Sequence, residues 1–199
     1  MPIPDEAHVR RVLTTNGRGA IIRTAVAGAW GAFLEAYPQR AWFRRKSTRA
    51  ALVWEHSVQN AITALDGDAG FKLVPHDDTY SFVFEQSVLV RVKKADLELR
   101  SSNYPTMLAN LFHVHEADLP GLEDLQRVEA AYVLNQFQTK IDWIGIVARQ
   151  KKQTLWSFEL EGGGVVERLP IPDRRGTAAE EVVKPKAPLA EPKREDESE

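Results

Sequence analysis

The first third of the chain repeats its apolar residues every three or four positions, the spacing of one face of a helix. Asp5 stands as an N-cap before a short helix ending near Leu13. A second helix is predicted over Arg18–Tyr37, with Ile22, Val26, Trp30 and Phe33 on its buried side and Pro38 as its stop. A third is predicted from about Ser47 to Leu65. Ser47 or Thr48 supplies its cap, Ala51, Trp54, Val58, Ile62 and Leu65 form its apolar stripe, and Asp66-Gly67-Asp68 ends it.

Beyond Gly70 the period changes to two. Tyr80, Phe82 and Phe84 alternate with Ser81 and Val83, and Val88, Val90 and Val92 alternate with Leu89, Arg91 and Lys93. Glu85-Gln86-Ser87 is expected as the hairpin turn between these strands, with an uninterrupted bent strand as the alternative. A polar loop, Arg100 to Thr106, leads into a short helix through about His113, and Asp118-Leu119-Pro120-Gly121 makes a second loop. Three further strands fall near Val128–Asn135, Ile141–Arg149 and Thr154–Glu161, with short spacers that predict an antiparallel meander. The sum is an α+β domain in which N-terminal helices pack on an antiparallel sheet of about five strands. It divides into a helical region over 1–66, a sheet region over 67–165 and a tail over 166–199. Gly162-Gly163-Gly164 marks the last strand's end. Recurrent proline and charge with few large apolar residues predict that the tail is disordered.

The chain has 199 residues, 43% of them hydrophobic and 27% charged, ordinary values for a domain able to bury a core. It has no cysteine, so disulfides, thiolate nucleophiles and cysteine-based metal sites are excluded. No apolar run approaches the roughly 20 residues needed to span a bilayer. The start, Met-Pro-Ile-Pro-Asp-Glu, carries no basic stretch followed by an apolar core, and a cytoplasmic location without membrane partners is expected. The net charge of −2 is unevenly spread. Residues 1–49 hold nine Lys/Arg against three Asp/Glu, whereas residues 50–170 hold eleven against seventeen. A basic first quarter is compatible with a nucleic acid or an acidic partner, and equally with solvated helix faces.

Arg91-Val92-Lys93-Lys94 is the leading candidate site. Arg91 and Lys93 share one face of a strand, about 7 Å apart, and repel unless an anion lies between or above them. That anion is a phosphate, a partner's carboxylate or an acid on a neighbouring strand. Arg100, Ser101, Ser102 and Asn103 follow as a loop whose N–H groups and hydroxyls can cradle an anion, although such residues also fill turns for local reasons. Trp42, Arg44, Arg45 and Lys46 form a secondary basic patch. Trp42 is expected on the surface, where it can stack a base or anchor a protein, and the other four tryptophans in the core. His113-x-His115 is too small a ligand set for a metal, Glu55 is read as a buried or semi-buried ion-pair partner, and no phosphate-loop, dinucleotide or nucleophile-elbow motif occurs. No metal or cofactor is therefore expected.

Two resemblances bear on these residues. Asp77 or Asp78 and Glu85, followed by Val90-Arg91-Val92-Lys93, resemble the hairpin of PD-(D/E)xK nucleases, which implies magnesium-dependent cleavage. Arg91, however, stands where that motif needs an acid, and a cation there repels magnesium. The run Arg91 to Asp96, with Arg100 to Thr106, resembles the core of uncharacterised small bacterial proteins found on mobile elements beside helix-turn-helix repressors. This implies a toxin–antitoxin, phage-defence or regulatory setting and a helix-turn-helix partner protein. The leading expectation is a non-enzymatic binding or regulatory protein that holds a nucleic acid or acidic partner on its basic strand and loop. The alternatives are an interaction subunit docking through its helices and tail, and a diverged metal-dependent nuclease or toxin.

Overall fold

Asp5 accepts a hydrogen bond from the His8 N–H at 3.1 Å and caps α1 (Glu6–Thr14), as its position predicts. Asn16 and Gly17 then take left-handed backbone angles, and α2 (Arg18–Ala36) leaves in a new direction. α3 (Lys46–Leu65) starts one residue earlier than predicted. Its N-cap is Arg45, without a side-chain cap bond, so neither Ser47 nor Thr48 fills that role. Its buried face also differs from the predicted stripe. Val53, Ser57, Val58, Ala61 and Leu65 are buried, Trp54 and Ile62 are half-buried and Ala51 is exposed. Ser57 can sit inside because its hydroxyl donates to the Val53 carbonyl at 2.7 Å.

The computed structural model describes residues 3–76, 79–101, 111–115 and 121–161. The tail predicted for 166–199, the glycine triplet, Asp77, Asp78, Ser102, Asn103 and the helix start at Pro105-Thr106 lie outside them. The α+β class is as expected, but the sheet has six strands rather than five and is mixed rather than antiparallel. Its order is sequential: β1 (Phe71–His76), β2 (Thr79–Phe84), β3 (Val88–Ala95), β4 (Gln126–Leu134), β5 (Ile141–Gln150) and β6 (Gln153–Glu159). β1 escapes the period-two pattern because it is an edge strand interrupted by Pro75. β3 and β4 run parallel, with Arg91 beside Glu129 and Lys93 beside Ala131. The residues between them supply the long crossover that a parallel pair requires. The predicted meander holds for β4, β5 and β6.

The helices cover one face of the sheet, packing Ile22, Val26, Phe33, Val53 and Ala61 against Val90, Val92, Ala130 and Ile146. On the other face, Phe112 and Leu125 of the crossover join Val83 and Leu89, and Leu99 packs against Ala95, Ala131, Val133 and Val147. The Glu85-Gln86 turn has positive φ at both residues, the twist that a two-residue hairpin favours, despite side chains unusual for it.

Arg18 fastens the helices to that turn. It is buried, donates to Asp68 at 2.6 and 2.7 Å and to the Val12 carbonyl at 3.2 Å, and pairs with Glu85 at 2.7 Å. Gly70 passes so close that a Cβ would strike the Arg18 guanidinium and the Glu85 carboxylate. The hydrogen bond from Arg18 holds the Asp68 carboxyl at about 2, below its ordinary 3.8. Because the folded-state value is the lower one, this stabilisation is complete above pH 3.8 and is lost as pH falls through about 2. Urea denaturation between pH 5 and 2 is therefore expected to show a steeper loss of stability in the parent chain than in Asp68→Asn, which lacks the titrating group.

Candidate anion-binding surface

β3 divides the predicted site between its two faces. Arg91 and Lys93 project with Leu89 away from the helices, while Lys94 projects with Val90 and Val92 toward them. Arg91 is half-buried, its Nε donating to Ser81 Oγ at 3.0 Å and its guanidinium lying 4.3 Å from the centre of the Phe112 ring. Burial pushes Arg91 down to about 10, and the neighbouring Glu129 opposes that shift. Lys93 is likewise lowered by burial and supported by Glu129. Glu129 on the neighbouring strand is thus an acid whose charge favours both cations, with no direct ion pair to either. It contributes an internal counter-charge to the face that carries Arg91 and Lys93.

Glu129 is 1% exposed. Ser101 Oγ donates to its two oxygens at 2.8 and 2.9 Å, His113 Nε2 lies 3.3 Å away and Arg149 Nη1 lies 3.8 Å away. Burial by itself would raise this carboxyl, but His113, Ser101 and Arg149 together hold it below its ordinary value. Ser101 therefore serves an internal acid. The same face fastens the crossover. Arg127 donates to the carbonyls of Leu111 at 2.6 Å and Val114 at 3.2 Å, His115 Nε2 meets the Arg149 carbonyl at 2.8 Å, and the Lys151 N–H donates to the His113 carbonyl at 2.7 Å. Arg100, exposed on the loop, pairs with Asp96 at 3.2 Å and Glu98 at 2.6 Å. Of the nuclease-like hairpin, Glu85 is engaged by Arg18. Among the described residues, no group of three or more His, Asp or Glu side chains is placed to hold a metal ion. Glu55 is exposed, against the expectation of a buried or semi-buried ion-pair partner.

Lys94 meets different surroundings. Burial lowers it, and the neighbouring charges of Arg49 and Lys46 lower it further. Among the described residues none of these three cations has an ion-pair partner. Lys94, Arg49 and Arg40 line a narrow cleft between α2, α3 and the sheet, together with Trp30, Tyr132 and Gln138. Trp30 Nε1 and Arg49 Nε are buried without a hydrogen-bond partner, which is costly for a buried donor. Burial pushes the Tyr132 phenol up and keeps it a neutral donor. Arg44, Arg45 and Lys46 are exposed beside the cleft's Arg49, and Trp42 is 78% exposed, as its setting among arginines predicts. Lys94 and the secondary patch thus belong to one surface at the start of α3, whose positive dipole end adds to the field.

Arg49, Arg40, Trp30 and Glu129 were not among the candidates drawn from the sequence. Arg49 was detectable, because it follows Lys46 by three positions and shares its helix face. Glu129 was detectable as a lone acid in the otherwise apolar run Val128–Leu134. Glu129→Ala removes the buried acid that meets His113 and Arg149 and whose charge favours Arg91 and Lys93. Its expected cost in urea denaturation is about 3–5 kcal/mol, whereas Arg100→Ala, at an exposed pair, costs under about 1 kcal/mol.

No family model, curated protein or solved structure matches this chain.

Proposed function

We propose that this is a non-enzymatic binding protein that holds a polyanion, a nucleic acid, on the surface formed by Lys94, Arg49, Arg40, Lys46, Arg44 and Arg45. One observation carries the reading. Lys94 and Arg49 line one cleft with Lys46 close by, and no carboxylate is paired to any of the three among the described residues. The protein answers the same problem on the opposite face with Glu129, so an unanswered cluster at the cleft favours a counter-charge supplied from outside. Phosphates spaced along a backbone suit cations spread over a helix start and a neighbouring strand.

The resemblance of Arg91–Asp96 and Arg100–Thr106 to small mobile-element proteins supports a bacterial toxin–antitoxin, phage-defence or regulatory setting. It also supports a cytoplasmic location and a helix-turn-helix protein as companion. Among the described residues no helix is long and apolar enough to cross a membrane.

Fluorescence anisotropy with labelled oligonucleotides tests the binding. Affinity is expected to fall linearly on a log–log plot against salt, and Arg44→Glu, Lys46→Glu and Lys94→Met each reduce the slope by about 1. Arg100→Glu leaves it unchanged. Binding that ignores salt, or that responds to Arg100 and not to Lys46 or Lys94, contradicts the reading.

A further inference from the structure

Two of the most exposed large apolar side chains stand on the segments that border the cleft. Trp42 is 78% exposed and lies two residues from Arg40, which lines the cleft. Phe137 is 80% exposed and adjoins Gln138, which lines it from the β4–β5 turn. The two come from separate parts of the chain. The Asn135 side chain holds the turn that carries Phe137, accepting from the Thr139 N–H at 2.7 Å and donating to Thr139 Oγ1 at 2.8 Å. A short 3₁₀ turn over Arg40–Trp42, closed by the Phe43 N–H on the Arg40 carbonyl at 3.1 Å, carries Trp42. Both aromatics therefore sit on ordered turns, and neither turn buries its ring.

Charge alone does not select among nucleic acids, because any duplex offers phosphates. Exposed aromatic rings beside unpaired cations do select. In a duplex the bases are stacked on one another and unavailable, whereas a single strand offers a base face for each ring and a phosphate for each cation. The cleft adds Lys94 and Arg49, which with Lys46 have no ion-pair partner among the described residues. A phosphate at the mouth of the cleft offsets the mutual repulsion of Lys94, Arg49 and Lys46.

We infer that the partner is single-stranded nucleic acid, with backbone phosphates at Lys94, Arg49 and Lys46 and neighbouring bases stacked on Trp42 and Phe137. The inference rests on the polyanion reading above and narrows it to one class. It makes Phe137, a residue without charge, part of the binding surface.

The test titrates the full-length chain into a labelled 20-nucleotide single strand and into its duplex at equal salt, with Trp42→Ala and Phe137→Ala alongside. Both substitutions are at exposed positions, and an unchanged circular dichroism melt verifies the fold. The single strand is expected to bind at least about tenfold more tightly than the duplex. Each aromatic variant is expected to weaken single-strand binding by roughly fivefold or more, the low end of what loss of a base–aromatic stack costs, and to leave duplex binding unchanged. Equal affinity for strand and duplex, with no effect of either aromatic variant, overturns the inference while leaving the polyanion reading in place. Equally tight binding of a polyglutamate peptide overturns it in favour of an acidic protein partner. Binding of neither nucleic acid at low salt overturns both readings.

Discussion

A single buried carboxylate organises the sheet. Glu129 lies opposite Arg91 in the parallel ladder and receives Ser101, His113 and Arg149 around its two oxygens. Burying a lone charge is prohibitively costly, so this acid and its cations are stable only as a set. The set in turn positions the crossover, whose Leu111, His113 and Val114 carbonyls are taken by Arg127 and Lys151. A parallel strand pair depends on such a crossover being held against its face. The β3–β4 pairing and the charge cluster are therefore one structural device.

The same device explains why cations on adjacent residues of β3 have opposite roles. Lys93 lies on the Glu129 face, where that acid's charge favours its charged form. Lys94, one residue on, faces the helices and meets Arg49 and Lys46 with no matching acid among the described residues. Strand alternation converts a continuous basic run into an internal ion cluster on one side and a cleft rich in unpaired donors on the other. The helix-side cluster gathers the Trp42–Lys46 patch, which is remote in sequence from β3.

The helices, the β4–β6 meander and the alternation of β3 were legible because each rests on local periodicity. Asp5, Ile22, Val26 and Phe33 take the roles their spacing predicts. The parallel pairing was not legible, because it depends on a long connection whose contacts are with Arg127 and Glu129 rather than with its sequence neighbours. The start of α3 was misread for a related reason. Ser47 and Thr48 have the chemistry of a cap, yet the helix begins at Lys46 and turns Arg49 toward the cleft. Of the candidate site, the cation types were legible and their partition was not. No local pattern shows that Arg91 meets an acid brought by a strand more than thirty residues later, or that Lys94 meets Arg49.

The division of labour between Lys93 and Lys94 is the central claim, and lysine acetylation footprinting by mass spectrometry tests it most directly. With a single-stranded oligonucleotide bound, acetylation of Lys46 and Lys94 should fall while that of Lys93 stays as it is in the free protein. Protection of Lys93 without protection of Lys46 and Lys94 would contradict it, placing the ligand on the face that Glu129 neutralises.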